Sequence, residues 1–176
     1  MIIYFLRHAN AGERLSNPNK DEKRALDKDG IEQCGMVGRA LVAIDAMVDV
    51  IISSPLKRAT QTASLVGNEL GYEGKIHLED ALRPSASFAD FRRMLEKYAR
   101  YDGVMVVGHN PNLSEFTGRI ISDAGCDAGV ELKKGGVAKV ELGRAGGVLQ
   151  WYVTPKILRS VYNAAAESSR PKTSRK

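Results

Sequence analysis

Apolar positions recur along the chain in two rhythms. Short runs dominated by apolar residues at 2–6, 48–53 and 75–78 and at Gly103–Gly108 predict strands, because a strand covered on both faces loses the usual alternation. Between them, apolar residues three and four apart predict helices. The first places Ile31, Cys34, Gly38, Leu41 and Ile44 on one stripe, with Asp27 as its N-cap. A second is expected to start at Ser54-Pro55, since proline at the first helical position gives up no needed N–H, and to carry Ala59, Thr62, Ala63, Val66 and Leu70. A third opens on the capping-box pattern Ser87-Phe88-Ala89-Asp90 and runs through Phe91, Leu95 and Tyr98. Asn110-Pro111 repeats the cap-then-proline signal ahead of Leu113, Phe116 and Ile120. Residues 137–142 and 148–153 read as a hairpin closed over residues 143–147. Strands alternating with helices and ending in a hairpin predict a three-layer α/β/α domain around a mostly parallel, mixed sheet.

Composition narrows the class. The 176 residues, 43% hydrophobic and 27% charged, suit one globular domain of ordinary composition, here residues 1–166. Two cysteines, Cys34 and Cys126, are too few for a disulfide framework, and they show no metal-ligand spacing. The apolar runs are strand-sized, so no membrane partner is expected, and a reducing cytoplasm is the expected compartment. The net charge of +5 is largely a property of residues 167–176, which hold four basic residues and one acid. Without them 22 basic residues face 20 acidic ones. That end reads as a basic, disordered tail. No aromatic residues interleave with its charges, so nucleic acid is not an expected partner.

Chemistry collects where strands end. The first strand runs into Arg7-His8-Ala9-Asn10, the second into Ser54-Pro55-Leu56-Lys57-Arg58, and the Gly103 strand into His109-Asn110-Pro111. Ligands of open α/β sheets bind outside the carboxyl ends of strands. Neighbouring strands would therefore bring two histidines, two arginines and two helix N-termini together, which is an anion site with phosphate as its obvious occupant. The polar stretch at residues 7–30 reads as a long loop, and its part from Ala11 to Asp29 either shapes the mouth of this site or is simply solvated. His77 falls near a strand end elsewhere and receives no role.

Arg7-His8, the run from Ser54 to Thr62 and Val107-Gly108-His109 together resemble the histidine phosphatase superfamily, with its phosphoglycerate-mutase-like fold. The detail resembles its small SixA-type phosphohistidine phosphatases. Arg24-Ala25-Leu26-Asp27-Lys28-Asp29-Gly30 is similar to a further motif of that branch, departing at Ala25 and Asp27, and Trp151 to Pro155 is similar to its closing strand. The resemblance implies that His8 is the nucleophile and that Arg7, Arg58 and His109 hold the phosphoryl oxygens, with Asn10 added as a candidate substrate contact. No metal or other cofactor is then required.

Relatives that cleave phosphate esters carry a glutamate soon after a Leu-Arg pair as general acid, whereas Pro84 follows Leu82-Arg83 here. Glu79, Asp80 and Asp90 are the nearby candidates to replace it. The missing acid favours a phosphohistidine-bearing protein as substrate, because imidazole is a far better leaving group than an alkoxide. The alternatives are a phosphatase for small phosphate monoesters and a non-catalytic phosphate-binding module.

Overall fold

The computed structural model describes residues 1–122 and 128–168. Six strands form one sheet: β1 (Ile2–Arg7), β2 (Val50–Ser53), β3 (His77–Leu78), β4 (Gly103–Gly108), β5 (Val137–Gly143) and β6 (Gly146–Val153), in the order β3-β2-β4-β1-β5-β6. The first four run parallel, while β5 pairs antiparallel with β1 and with β6. The mixed sheet and terminal hairpin are those the sequence predicts. The third strand has only two residues, shorter than expected.

Helices cover both faces, and a short one, α1 (Pro18–Glu22), precedes them in the chain. Alternate residues of the central strands point to opposite sides. Tyr4, Leu6, Met105 and Val107 pack with Cys34, Val37 and Leu41 of α2 (Lys28–Ala43) and with Ala59, Ala63 and Val66 of α3 (Lys57–Glu69). Ile3, Phe5, Val104 and Val106 pack with Phe91, Met94 and Leu95 of α4 (Phe88–Lys97) and with Leu113 and Phe116 of α5 (Asn112–Ile120). Asp27 caps α2 by accepting from the Gly30 amide, and Ser87 and Asp90 form the expected capping box.

Two helix starts differ from expectation. α3 begins at Lys57 behind Leu56, beyond Pro55, and α5 begins at Asn112 behind Pro111. Neither has a side-chain cap: the Ser54 hydroxyl sits against His109 and accepts only a long bond from the Leu56 amide (3.4 Å), while the Asn110 amide nitrogen donates to the Leu132 carbonyl oxygen and its Oδ1 has no partner. Two helices were not anticipated: α1 lies within the polar stretch, and α6 (Pro155–Ser168) follows the hairpin and packs beside α2. α6 takes in the first two residues of the expected tail, and residues 169–176 lie outside the described residues. Cys34 is buried and free, its thiol pushed up to about 12 chiefly by that burial, and Cys126 lies outside the described residues. No helix among the described residues is long and apolar enough to cross a membrane.

Candidate active site

Because β2, β4 and β1 are neighbours, their three exits meet. His8 leaves β1, His109 leaves β4, and Arg58 sits in the first turn of the helix that follows β2. All three are buried, at 6%, 3% and 5% exposure. The two imidazole rings lie 4.9 Å apart between centroids. Arg7, His8, Arg58 and His109 line one cleft of about 1040 Å³, together with Arg14, Arg24, Arg83, Lys134, Asp21 and Glu22 among others. Six cations against two carboxylates leave a surplus of four positive charges.

Hydrogen bonds fix the state of each group. His8 Nδ1 lies 2.7 Å from the Ala9 carbonyl oxygen. A carbonyl only accepts, so Nδ1 carries the proton and Nε2 keeps its lone pair. Burial pushes the His8 imidazole down to about 3, against the Ala9 bond and with the Arg58, Arg7 and Arg24 charges. Burial, the adjacent His8 and the same three arginines take His109 down to about 2. Both rings are therefore neutral bases at physiological pH. His109 Nε2 sits 2.9 Å from the Ser54 hydroxyl oxygen, which is where that apparent capping residue spends its side chain.

The arginines are anchored from behind. Arg7 donates through one terminal nitrogen to the Leu132 carbonyl oxygen (2.8 Å), and Arg58 donates likewise to the Asp21 carbonyl oxygen (2.8 Å). Among the described residues, the buried side-chain polar atoms without a partner are Arg7 Nε, Arg58 Nε, His109 Nδ1 and Asn110 Oδ1. All four belong to residues lining this cleft. Arg7 Nε and Arg58 Nε are donors, and so is His109 Nδ1 when Ser54 donates to its Nε2, whereas Asn110 Oδ1 accepts. A buried donor left unsatisfied costs roughly 1–3 kcal/mol, so these donors in one pocket mark a site made for an acceptor-rich ligand. A tetrahedral oxyanion such as a phosphoryl group matches that demand.

Two glycines hold the frame. A Cβ on Gly30 would run into the Asn10 carbonyl oxygen, so the start of α2 can lie against the chain leaving β1 only with glycine there. Gly135 has φ +68° and donates its amide to the carbonyl oxygens of Arg7 and His8, at 3.1 and 3.2 Å.

Other expected participants fall outside the centre. Asn10 does not line the cleft: its amide donates to Asp27 (2.9 Å) and accepts from Lys134 (2.8 Å), so it steadies the rim. Glu79, Asp80 and Asp90 line a separate groove of about 690 Å³ that shares Arg83 and Ser85 with the cleft. His77 packs edge-on against Tyr98, away from the site. Sequence reasoning missed Asp21, whose carboxylate meets both Arg24 (2.8 Å) and Arg58 (3.3 Å). Its only signal was one acid among several within a polar stretch. Also missed was Glu22, which lines the cleft and pairs with Arg83 at 2.8 Å. No group of three or more His, Cys, Asp or Glu among the described residues is arranged to hold a metal ion.

The geometry agrees with what similar proteins are. An uncharacterized protein of Picosynechococcus sp. is 32% identical over 148 residues, which is 82% of this chain and 87% of that protein. The solved structure of the protein histidine phosphatase SixA complexed with tungstate has the same fold, with TM-score 0.79 and 20% identity over 90% of this chain and 99% of that one. The alpha-ribazole phosphatase of Shigella flexneri matches with TM-score 0.68 and 18% identity, over 88% and 97% of the two chains. A family model for the histidine phosphatase superfamily (branch 1) matches residues 3–103, a stretch that includes Arg7, His8 and Arg58. The chain belongs to that superfamily.

Proposed function

We propose that this phosphatase transfers a phosphoryl group from phosphohistidine in a protein partner to His8 and then to water. The carrying observation is a pairing. His8, whose Nε2 keeps its lone pair, shares one cleft with Arg7 and Arg58, whose Nε atoms have no partner, while both carboxylates among the described cleft residues, Asp21 and Glu22, are ion-paired to arginines.

In the first step the His8 Nε2 lone pair forms a bond to phosphorus, and the bond from phosphorus to the substrate nitrogen breaks. With its distal nitrogen protonated, the phosphoimidazole departs as neutral imidazole, whose conjugate acid has a pKa of about 6.5. Arg7, Arg58 and the Nδ1–H of His109 donate to the phosphoryl oxygens, the Ser54 hydroxyl serving as donor to His109 Nε2. Fixed donors aimed at charge on the transferring group are the main catalytic device in such reactions. In the second step water bonds to phosphorus, the bond to His8 Nε2 breaks, and the water's proton leaves with inorganic phosphate. These residues supply every group that the two steps use, without a metal or other cofactor.

A second reading, hydrolysis of small phosphate monoesters, has one observation in its favour. Glu22 lines the cleft and could protonate a departing alkoxide if Arg83 released it. Turnover of a phosphohistidine protein, an aryl phosphate and an alkyl phosphate, each with chelator present, tests the choice. The proposal expects the first to be fastest. An alkyl ester that outpaces phosphohistidine would install the second reading instead.

A further inference from the structure

Asp21 has no part in the two steps above, yet its side chain bonds only to residues that line the cleft. It is 9% exposed, in a helix of five residues within the most polar stretch of the domain. Its Oδ1 accepts from the Leu15 amide (2.9 Å) and from Arg24 Nε (2.8 Å). Its Oδ2 lies 3.3 Å from a terminal nitrogen of Arg58, and its carbonyl oxygen accepts from that same nitrogen at 2.8 Å.

A guanidinium is a planar fork with several equivalent ways of meeting an anion. Here one terminal nitrogen of Arg58 is taken up by Asp21, and the Nε on the other side of the plane is buried without a partner. Arg24, turned by the same carboxylate, also donates to the Ala11 and Gly12 carbonyl oxygens (2.8 and 3.3 Å) and so ties the chain after His8 to α1.

We infer that Asp21 is a positioning residue: from α1 it sets the rotation of the Arg58 guanidinium, so that the Nε edge meets the phosphoryl group, and it docks the polar stretch onto the site through Arg24. This rests on the reading that the cleft transfers phosphoryl groups, but not on which leaving group it serves. The Asp21 charge is available throughout the working range. Burial raises its pKa, but hydrogen bonds from Arg24 and the Leu15 amide and the Arg24 and Arg58 charges prevail and hold it at about 2.

Removing that charge should separate binding from turnover. Asp21→Asn keeps the shape but leaves the cleft more positive, so attraction for an anion persists while the geometry of Arg58 loosens. With p-nitrophenyl phosphate we expect kcat to fall about 10- to 100-fold, the scale of small misplacements of catalytic groups. Inhibition by inorganic phosphate should stay within about threefold of wild type or tighten, as for an interaction that matters chiefly in the transition state. In an Arg58→Lys background the same substitution should cost less than about threefold, because its effect runs through Arg58.

A kcat within about threefold of wild type overturns the inference, as does an undiminished loss in the Arg58→Lys background. Parallel loss of kcat and phosphate affinity also overturns it, since that is what a merely structural role gives. If Asp21→Asn does not fold, Asp21→Glu decides on the same split, as it keeps the charge but shifts it by a methylene. The Arg58 Nε–H resonance provides a test that needs no turnover. Inorganic phosphate should shift it in wild type and shift it less in the variant, and equal shifts refute the inference. If wild type binds phosphate without hydrolysing phosphohistidine, the proposed substrate fails while this resonance still decides the role of Asp21.

Discussion

Two depressions meet at Arg83, and their charges are arranged in opposite ways. In the groove, each carboxylate is paired with a cation: Glu79 with Lys97, Asp90 with Arg93, and Asp80 with Arg83, which is shared with Glu22 of the cleft. Its charges are satisfied internally and ask nothing of a ligand. In the cleft, cations outnumber carboxylates by four, and Nε atoms of two arginines are buried without a partner. That imbalance requires an anion from outside. The contrast teaches where to look for chemistry. Both depressions are rich in charge, but the balance of sign and the unmet hydrogen-bonding capacity separate them.

The most severe way to break the contrast is to remove the group that acts on the anion. His8→Ala should lower turnover by about 10³-fold or more, as loss of a nucleophile does. Acid-labile phosphate trapped on the wild-type chain by rapid quench should vanish from the variant. Its fold should survive, because the substitution takes away a buried base and not a packing element of the core. Full turnover by purified His8→Ala would remove His8 from the mechanism.

The next effect concerns the leaving group. With no unpaired carboxylate among the described cleft residues, alkyl phosphates lack the proton donor that ordinarily contributes about 10²–10⁴-fold. They should trail phosphohistidine by roughly that factor. Aryl phosphates, whose phenolate has a conjugate-acid pKa near 10, should fall between. Equal kcat/KM for alkyl and aryl esters would reveal an acid at work, and Glu22 would be the first residue to substitute.

Arg58→Lys comes third. An ammonium keeps the charge but cannot bond Asp21 on one side and a phosphoryl oxygen on the other in a fixed plane. A loss of about 10²-fold in kcat is expected, the scale of one removed transition-state donor. Kinetics close to wild type would mean that charge alone suffices at this position.

The parts of this site that were legible in the sequence are those placed by strands. Arg7, His8 and His109 follow apolar runs directly, and Arg58 follows one by a single turn of chain, so a parallel sheet necessarily gathers them. The misread parts are those where the site takes over local signals. Ser54 and Asn110 look like helix caps, but the Ser54 hydroxyl meets His109 and the Asn110 amide donates to the Leu132 carbonyl oxygen. Local rules fail most readily at functional sites for this reason. Asp21 was hidden differently: a five-residue helix has no apolar period to betray it, and its partners lie 37 residues ahead as well as nearby. α6 escaped notice because Ile157, Val161 and Tyr162 on it remain exposed, so its stripe is not completed by a core.

The burial of the two cleft histidines, reinforced by the arginine charges, should also appear as a pH dependence of stability. His8 and His109 stand at about 3 and about 2 when folded, against 6.5 as their ordinary value. Their folded pKa values are depressed, so the unfolded chain takes up two more protons as pH falls below 6.5. Stability is therefore full above pH 6.5 and declines towards pH 4, by up to about 2.7 kcal/mol per unit if both contribute fully. Melting curves in phosphate-free buffer should show this decline, and His109→Gln should roughly halve the slope. A melting temperature flat from pH 7 to 4.5 would mean that the two rings are not buried as neutral bases.

The smallest effect is expected in the groove, and it is the sharpest test of the comparison. Glu79, Asp80 and Asp90 were the sequence's candidates for a general acid, yet each is occupied where it stands. Glu79 accepts from Tyr98 (3.2 Å) and Lys97 (3.3 Å), Asp80 accepts from Arg83, and Asp90 closes the capping box of α4. Glu79→Gln, Asp80→Asn and Asp90→Ala should each leave kcat within about threefold of wild type for alkyl and aryl esters alike, far short of what loss of a general acid removes. Asp90→Ala should nevertheless lower the melting temperature, because the first turn of α4 loses its reciprocal cap. That outcome is the mirror image of His8→Ala, which spares the fold and abolishes the chemistry. A selective loss of alkyl-ester turnover in any of the three would place a proton donor in the groove. The boundary drawn at Arg83 would then have to be moved.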